Sequence, residues 1–345
     1  MDTREALGAV AAGRSLTRGE SEAVMTHVMA GAATAAQLGA LLAALHVRGE
    51  SADEIAGFAS AMRAHAVRVA APEGAIDVVG TGGDRSHSIN ISTLAALVAA
   101  GAGARVAKHG NRAASSACGS ADVLEALGVR IDLGPDAVAT CVAEAGIGFM
   151  FAPRYHPAMR HAAPVRRELG IRTIFNLLGP LASPAGVRRY VLGVPSAALG
   201  PVMARALAEL GVDHALVVHG MDGLDEVSPS DGTLVWEVRG EIITETTLTP
   251  AGLGLASVAR SEIAGGDAAT NARIAREVLA GTLGGARTAV LLNAGAACYV
   301  AGLAESVREG IAVATRSIDS GQARERLERL VATSQRLGAS EVTVA

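Results

Sequence analysis

The sequence predicts an α/β protein with a small all-helical domain and a larger α/β domain that has a central, mainly parallel sheet. Two observations favour this fold class. The first 70 residues show only helical periodicity, and from residue 71 onward short β-branched runs alternate with alanine-rich stretches of helical length. Strands that alternate with helices form parallel sheets covered on both faces. A chain of 345 residues is long enough for one large and one small domain.

Helix start signals divide the first 70 residues into closely spaced helices. Each signal has the spacing of a capping box, in which a side chain and the backbone satisfy each other's free N–H groups. Apolar residues recur at helical spacing behind the second and third signals. Such a pattern is typical of a small bundle with short connections. The three pairs are Thr17 with Glu20, Thr34 with Gln37, and Ser51 with Glu54.

The α/β pattern begins after residues 71–74. Short apolar runs predict buried strands at 76–79, 105–107, 147–151, 190–194, 215–218 and 290–292. Two further runs, joined at Arg239-Gly240, predict a hairpin over 234–238 and 242–246, and the end of the chain returns to helix. Ligands bind beyond the carboxyl ends of strands in open α/β sheets. We therefore expect the segments that follow residues 79, 107 and 218 to converge on one crevice.

Composition excludes several classes of protein. The net charge is −4 and no basic cluster occurs, so nothing favours binding to nucleic acid. No apolar run approaches the roughly 20 residues that cross a bilayer, and residues 1–13 do not resemble a signal peptide. The three cysteines, Cys118, Cys141 and Cys298, are too far apart in sequence to indicate a disulfide framework or a zinc site. We expect a soluble cytoplasmic protein that does not associate with membranes.

Three polar segments between residues 80 and 116 each lie where an apolar run stops. Glycines let the backbone approach an anion, and a helix start offers free N–H groups with a favourable dipole. Hydroxyl groups and a lysine add further donors. Together they predict a ligand that carries more than one phosphate. The segments are Gly80-Thr81-Gly82-Gly83-Asp84, Asn90-Ile91-Ser92-Thr93, and the run from Lys108 to Ser116.

A structural role is the alternative for each segment. The glycine cluster matches neither a dinucleotide-binding fingerprint nor a Walker A loop, and by itself it indicates only a tight turn between a strand and a helix. Residues 90–93 also fit a helix cap, and residues 108–116 fit an exposed polar loop. We expect Ser120 to cap the helix over 121–127, with a phosphate contact as a second role.

Further candidates lie outside these segments. Asp225-Glu226 follow a glycine-rich stretch and offer the hard oxygen ligands that Mg²⁺ prefers, although such a pair is often only solvated. Arg166-Arg167 are either exposed or a clamp for a carboxylate. Residues 175–181 are core or one wall of an aromatic pocket. Seven histidines have no ligand spacing and receive no role: His27, His46, His65, His156, His161, His214 and His219.

Taken together, these motifs resemble those of the anthranilate phosphoribosyltransferase family of tryptophan biosynthesis. The resemblance covers roughly residues 5–335, and its most specific part is the run from Lys108 to Ser116. The other matching segments are 80–84, 90–93, 119–127, 164–170, 173–181 and 223–226. Two loops depart from the family. Arg85-Ser86-His87-Ser88 replaces an expected glycine and threonine, and Ala182-Ser183-Pro184 lacks an asparagine before the proline.

The resemblance implies a helical domain of residues 1–70 plus about 165–187, and an α/β domain of residues 71–164 plus 188–345. It also implies a homodimer formed through the helical domains. The substrates would be anthranilate and phosphoribosyl pyrophosphate, with Mg²⁺, and the products N-(5-phosphoribosyl)anthranilate and pyrophosphate. The rivals are a pyrimidine nucleoside phosphorylase and a non-catalytic binding protein on the same scaffold. For the first, Asn111 and Arg166 would have no purpose. The second should lack Asp225-Glu226.

Residue by residue, the resemblance implies three overlapping sets. Magnesium would be held by Ser92, Asp225 and Glu226, and anthranilate by Gly80, His109, Asn111, Arg166, Gly179 and Pro180. Lys108, His109 and Arg166 would be the catalytic residues, with His109 the only candidate for a general base. The set for phosphoribosyl pyrophosphate is Gly80, Gly83, Asp84, Ser88, Asn90, Ile91, Ser92, Thr93, Lys108, His109, Gly110, Asn111, Arg112, Ala113, Ala114, Ser115, Ser116 and Ser120.

Overall fold

The computed structural model describes residues 1–113 and 117–344, with side chains up to residue 340. Its first 64 residues form four helices, and each begins at a capping box, which confirms the three predicted boxes and adds one at Asp2 with Glu5. Glu54 has a second role, since its buried carboxylate also accepts from the Leu16 N–H and pairs with Arg48. The helices are α1 (Thr3–Ala11), α2 (Arg18–Met29), α3 (Ala35–Arg48) and α4 (Ala52–Ala64).

One sheet of seven strands forms the centre of the rest of the chain, in the order β3-β2-β1-β4-β5-β6-β7. The first five strands pair in parallel and the last two are antiparallel, which confirms the mainly parallel sheet and the hairpin. The strands are β1 (Ile76–Gly80), β2 (Val106–Gly110), β3 (Ile147–Phe151), β4 (Arg189–Gly193), β5 (His214–Gly220), β6 (Thr233–Arg239) and β7 (Ile242–Leu248).

Eleven helices follow the first four in the described residues. They are α5 (Ile91–Gly101), α6 (Ser120–Ala126), α7 (Pro135–Ala145), α8 (Ala152–Tyr155), α9 (Ala163–Leu169), α10 (Phe175–Leu181), α11 (Leu199–Glu209), α12 (Ala268–Leu279), α13 (Gly285–Val300), α14 (Val307–Asp319) and α15 (Gln322–Val344). Short 3₁₀ turns cover Pro157–His161, Ala251–Leu253 and Arg260–Ile263. None of the helices in the described ranges is long and apolar enough to cross a membrane.

The strand predicted at 290–292 is wrong, because these residues lie inside α13. This helix is buried on nearly every side, packed against α5 and α14 and against β4 and β5. A helix without a polar face leaves no periodicity in the sequence, so a short apolar run within it resembles a buried strand.

Helices α9 and α10 return to the N-terminal bundle, where α9 packs on α3 and α10 packs on α4. Their sequence position is central, yet each makes its most extensive contact with a helix of the first 64 residues. The resemblance implied that residues of about 165–187 belong to the helical domain, and this division stays a prediction. The connection between α9 and α10 also reaches the end of β1, because the Arg172 guanidinium donates to the carbonyl of Gly82.

Close backbone approaches replace aromatic packing in the core. A Cβ on Gly310 would lie 2.1 Å from the carbonyl oxygen of Gly295, so α13 and α14 cross with their backbones in contact. The single tryptophan, Trp236 on β6, lies flat against Gly200 of α11. Its indole N–H donates to Glu245 on β7 at 3.0 Å, and only 4% of the residue is exposed.

Candidate active site

The carboxyl ends of β1, β2 and β5 meet at one cleft, as the strand pattern predicted. The chain order reverses at β1, which lies between β2 and β4, and such a switch point opens a crevice. Glycines at the strand ends bring the partners close. A Cβ on Gly80 would lie 2.5 Å from Asp225 Oδ2, and one on Gly193 would lie 1.6 Å from the Asp225 carbonyl oxygen. Asp225 therefore reaches the sheet only because both strands end in glycine.

A polar cavity of about 330 Å³ occupies this cleft. The structure brings to it every described residue predicted for phosphoribosyl pyrophosphate; Ala114, Ser115 and Ser116 lie outside the described residues. Thr81, Arg172 and Asn176 also line it and were not predicted. The predicted residues there are Gly80, Gly83, Asp84, Ser88, Asn90, Ile91, Ser92, Thr93, Lys108, His109, Gly110, Asn111, Arg112, Ala113 and Ser120.

The N-terminus of α5 opens onto this cavity, and its cap residue makes no side-chain cap hydrogen bond. Asn90 occupies the cap position, but its amide group donates to the Cys118 carbonyl and accepts from Asn271. The Ser92 N–H donates to Glu226 Oε1 at 3.0 Å. An uncapped helix start with its positive dipole end is a favourable place for a phosphate.

Ser120 does not cap α6, so that prediction is wrong. Gly119 holds the cap position, and Ser120 is the first helical residue. Asp122, inside the helix, accepts from the N–H groups of Gly119 and Ala113, both at 2.9 Å, while the first-turn N–H of Ala121 donates to the Asn111 carbonyl. The Ser120 hydroxyl donates instead to the Asn111 carbonyl, which fixes the polar loop after β2 against the helix start.

Three carboxylates approach one another at the ends of β1 and β5. Asp225 Oδ2 accepts from the Gly82 N–H at 2.8 Å, and Glu226 interacts with the backbone and hydroxyl of Ser92. Burial, followed by the charges of Asp84 and Glu226, raises the pKa of Asp225 well above its usual range. Burial also raises the pKa of Glu226 to about 8. The predicted magnesium ligands Ser92, Asp225 and Glu226 are thus brought together.

This oxygen donor set fits a divalent cation, because a positive charge would remove the cost of holding these carboxylates ionised together. In the described part of the chain, no group of three or more acidic, histidine or cysteine side chains is already arranged around a common point. Mg²⁺ usually binds through one or two carboxylates and completes its octahedron with water and phosphate oxygens. The arrangement therefore suits a magnesium ion that arrives with a phosphorylated ligand.

Lys108 lies beneath the cleft and is 2% exposed. Its Nζ donates to the Val78 carbonyl at 2.6 Å. Burial lowers its pKa, while the charges of Asp77 and Glu226 act in the opposite direction. Asp77 is fully buried on β1 and accepts from the His109 N–H at 3.2 Å, and burial raises its pKa to about 7. Asp77 was not predicted, although an acid within the apolar run 76–79 is a recognisable signal.

A second cavity of about 530 Å³ adjoins the first and shares Gly80, His109 and Asn111 with it. Most of its lining is apolar, with Met62, Phe175 and Pro180 among its walls. Residues 175–181 therefore fit both interpretations, since Phe175, Asn176, Gly179 and Pro180 form one wall of a pocket and the three leucines are buried in the core. All six residues predicted for anthranilate line this cavity: Gly80, His109, Asn111, Arg166, Gly179 and Pro180.

Arg166 is the partly buried cation of this apolar cavity. Its guanidinium lies over the Phe175 ring, 5.1 Å from the centroid, and burial lowers its pKa. Among the residues that the structure describes, no acidic side chain lies within salt-bridge distance of it. A guanidinium in an apolar wall without a counter-ion is suited to bind a ligand carboxylate. The neighbouring Arg167 is exposed, so for this residue the structure agrees with an exposed arginine and not with a carboxylate clamp.

Two buried histidines form the boundary of the apolar cavity. The His109 Nδ1 lies 3.1 Å from the Gly179 carbonyl, and burial lowers the pKa of His109 to about 3 and that of His156 to about 4. Within the described ranges, neither Nε2 atom has a hydrogen-bond partner. His156 was given no role from the sequence, because its spacing from other histidines carried no signal; only the tertiary fold brings it to His109.

The loop that departs from the family, residues 85–88, is strained. Arg85 and His87 adopt φ values of 56° and 53°, the left-handed region that favours glycine. Ser86 braces the loop, since its N–H donates to Asp84 and its hydroxyl bonds to Ser88. Both strained residues line the polar cavity. Residues with a Cβ at positions 85 and 87 therefore raise the conformational energy of the loop over residues 85–88.

Comparison with known proteins agrees with this geometry. The family described as glycosyl transferase family, a/b domain, matches residues 72–324, and its helical bundle domain matches residues 4–66. The anthranilate phosphoribosyltransferases of Rubrobacter xylanophilus and Thermomicrobium roseum are each 56% identical. The first alignment covers 97% of this chain and 98% of the relative, and the second covers 96% and 97%.

Solved structures agree as well. The anthranilate phosphoribosyltransferase of Thermus thermophilus superposes with a TM-score of 0.91 at 47% identity, over 96% of this chain and 99% of that one. The enzyme of Saccharomyces cerevisiae, solved with phosphoribosyl pyrophosphate and Mg, gives 0.89 at 30% identity, over 97% and 98%. The fold class and the resemblance predicted from the sequence are both confirmed. The chain belongs to the anthranilate phosphoribosyltransferase family and is an enzyme of the glycosyltransferase class.

Proposed function

We propose that the chain transfers the phosphoribosyl group of phosphoribosyl pyrophosphate to the amine of anthranilate in a Mg²⁺-dependent reaction of tryptophan biosynthesis. The products are N-(5-phosphoribosyl)anthranilate and pyrophosphate. The observation that carries the proposal is a polar cavity rich in phosphate donors that opens into an apolar cavity with an unpaired arginine. The yeast relative has been solved with phosphoribosyl pyrophosphate and Mg, and with 4-fluoroanthranilate.

The polar cavity binds the phosphorylated donor. The uncapped start of α5 and the glycine loop after β1 present backbone N–H groups, and Lys108 supplies a positive charge beneath them. In the reaction, negative charge grows on the departing pyrophosphate while the ribose carbon becomes cationic. Donors that are already fixed in place stabilise this charge without reorganisation.

Ser92, Asp225 and Glu226 hold the magnesium ion in this proposal, with the nearby Asp84 adding negative charge. When bound, the ion neutralises charge on the leaving diphosphate. The protein's part is to keep these carboxylates close together in a desolvated cleft. Asp225 is also fixed by the Gly82 N–H, so the metal ligands and the phosphate loop are positioned together.

The apolar cavity orients the acceptor. Arg166 pairs with the anthranilate carboxylate, and the aromatic ring packs among the apolar walls near Phe175. Holding both substrates in line is worth roughly 7–11 kcal/mol in well-oriented reactions. The amine then faces Asn111 and His109, which are among the residues that the two cavities share.

His109 accepts a hydrogen bond from the amine in this arrangement. Its Nδ1–H is directed to the Gly179 carbonyl, which leaves the lone pair on Nε2. With a pKa of about 3, the ring is a weak base and stays neutral at physiological pH. His109 therefore positions the amine nitrogen, whose lone pair forms the bond to the ribose carbon as the bond to pyrophosphate breaks. The proton that the nitrogen then loses goes to the released pyrophosphate, whose oxygens are more basic than this ring.

The enzyme is proposed to be a cytoplasmic homodimer that associates through its helical domains. Sedimentation velocity of the purified chain measures its mass directly. A monomer at micromolar concentration would contradict the dimer.

Anthranilate fluorescence tests the reaction. We expect it to decay only when enzyme, phosphoribosyl pyrophosphate and Mg²⁺ are all present, and to persist in the double variant Asp225→Ala with Glu226→Ala. The variant E241A, which changes an exposed acid between β6 and β7, is the control and should behave as wild type. Constant fluorescence with wild type, although both substrates bind, would refute phosphoribosyl transfer. Phosphorolysis of uridine would then favour the nucleoside phosphorylase.

A further inference from the structure

Arg172 lies in the connection between α9 and α10 and points into the polar cavity. Its Nη1 donates to the Gly82 carbonyl at 2.9 Å. The guanidinium is so close to Gly83 that a Cβ there would lie 1.6 Å from Nη1. The glycine pair in the phosphate loop therefore accommodates an arginine that arrives from a distant part of the chain.

The other end of this guanidinium has no partner. Within residues 1–113 and 117–344, Nη2 is buried and makes no hydrogen bond. A guanidinium stays charged at all physiological pH values, and a buried donor of a charged group is costly when unsatisfied. The site is therefore incomplete without an anion or ordered water at Nη2.

Two other cations of the cavity are already engaged, and a third, Arg85, is exposed to solvent. Lys108 donates to the Val78 carbonyl, and Arg112 pairs with Asp122 and Glu125 at 2.9 and 2.8 Å. Arg172 is thus a cation of the cleft whose planar fork keeps a free edge. A fork of this kind matches the paired oxygens of a phosphate group.

The position of Arg172 selects one part of the donor substrate. Gly82 donates its N–H to Asp225 Oδ2 at 2.8 Å and accepts at its carbonyl from Arg172, so one glycine joins the arginine to a proposed magnesium ligand. The diphosphate is the part of the substrate that a magnesium ion bridges. An oxygen that reaches Arg172 therefore belongs to the diphosphate end and not to the 5′-phosphate.

We propose that Arg172 binds the diphosphate group of phosphoribosyl pyrophosphate through its free guanidinium edge, an assignment that rests on the proposed function. The chemical class of ligand is a magnesium-bound diphosphate. Arg172 is a substrate-binding residue in this proposal, and its bond to Gly82 holds the fork at the right place.

Calorimetric titration with inorganic pyrophosphate in the presence of Mg²⁺ tests this directly. Charge-assisted hydrogen bonds to a charged group predict roughly ten- to hundredfold weaker pyrophosphate binding in R172Q. Ribose 5-phosphate and anthranilate should bind R172Q within about twofold of wild type. R167Q removes an exposed arginine five residues away in sequence and should match wild type with all three probes.

R172K guards against a variant that does not fold. The ammonium can still donate to the Gly82 carbonyl, but it lacks the fork, so we expect several-fold weaker pyrophosphate binding with an unchanged melting temperature. Unchanged pyrophosphate affinity in R172K or R172Q would overturn the proposal. Equal losses for pyrophosphate, ribose 5-phosphate and anthranilate would also overturn it, because they indicate a purely structural role.

The role of Arg172 and the proposed phosphoribosyl transfer can be refuted independently of each other. Selective loss of pyrophosphate binding in R172Q, combined with a wild type that does not consume anthranilate, would support Arg172 as a diphosphate ligand and refute phosphoribosyl transfer. Normal turnover in wild type with unaltered pyrophosphate binding in R172Q would do the opposite. In turnover assays, R172Q should raise the KM for phosphoribosyl pyrophosphate and leave the KM for anthranilate near its wild-type value.

Discussion

The imidazole ring centroids of His109 and His156 lie 5.1 Å apart, tilted by 57°, in the wall of the apolar cavity. Burial is the main cause of both lowered pKa values, and the neighbouring His156 adds to the effect on His109. The pair is therefore neutral in the folded protein under conditions in which an unfolded chain would carry positive charge. This difference links the site to acid stability.

Replacing His156 should make the free energy of unfolding less dependent on pH in acid. Below pH 6.5 the unfolded chain gains a proton at His156 that the folded chain refuses until about pH 4, so stability is lost as the pH falls through this window. The full effect is about 3 kcal/mol. H156N should therefore lose correspondingly less stability than wild type between pH 7 and pH 4, measured by urea unfolding at several pH values.

H156N must be compared with wild type, because the buried carboxyl groups change the free energy of unfolding in the opposite direction as the pH falls. Asp77, with its pKa near 7, and Glu226, near 8, keep protons that the unfolded chain releases, so they gain stability as the pH falls. H46N, which changes an exposed histidine of α3, is the control. Parallel pH profiles for H156N and wild type would contradict the assignment.

Asp77→Asn should shift the alkaline limb of the activity profile to lower pH. The amide can still accept from the His109 N–H, but the negative charge that raises the pKa of Lys108 is gone. Lys108 then loses its proton at a lower pH, and with it the positive charge beneath the phosphates. The measurement is kcat/KM for phosphoribosyl pyrophosphate across alkaline pH. If the alkaline limb stays at the same pH in the variant, Lys108 binds the phosphates as a neutral amine and the prediction is wrong.

Arg166→Gln should raise the KM for anthranilate roughly ten- to hundredfold and leave that for phosphoribosyl pyrophosphate nearly unchanged. The reason is loss of the charged fork that meets the carboxylate. With 2-aminobenzamide, which has no negative charge, wild type and R166Q should differ by less than about threefold. R167Q is the matched control. Equal effects on both acceptors would assign Arg166 to packing against Phe175.

Glycine should be preferred over alanine at position 87. His87 has a φ of 53°, and the left-handed region costs a residue with a Cβ about 1 kcal/mol or more. H87G should therefore be more stable than H87A by about 1 kcal/mol in thermal or urea unfolding. The same pair at exposed His46, inside α3, should show the reverse order, because alanine favours helix by about 1 kcal/mol.

If H87A equals H87G, the loop has moved to a conformation without strain when the side chain is removed. Pyrophosphate binding then shows whether the relaxed loop has changed the polar cavity, since residue 87 lines it. A loop that relaxes on substitution should alter pyrophosphate affinity in both variants equally.

Most of the fold and of the candidate site could be predicted from short-range patterns in the sequence. Capping boxes located three of the first four helices because they depend on neighbours three residues apart. The phosphate segments were visible because polar residues after buried strands are unusual in sequence. The failure at 290–292 has a local cause as well, since a helix buried on all sides lacks a periodic face.

The residues that sequence reasoning missed act across the fold. Arg172 reaches Gly82 over 90 positions, and His156 meets His109 only because β3 pairs with β2. Asp77 was hidden inside a strand. The cap position predicted for Ser120 is held by Gly119, whose N–H donates to Asp122 three residues later, together with the N–H of Ala113.

The packing of Trp236 against Gly200 has an optical consequence. Because the chain has one tryptophan, its ultraviolet-excited emission comes from a single buried indole on β6, which β4 and β5 separate from β1. That emission should report the unfolding of the β6–β7 edge. With so few aromatic residues, the protein adds little background, so one bound anthranilate can be followed through a single turnover at high enzyme concentration.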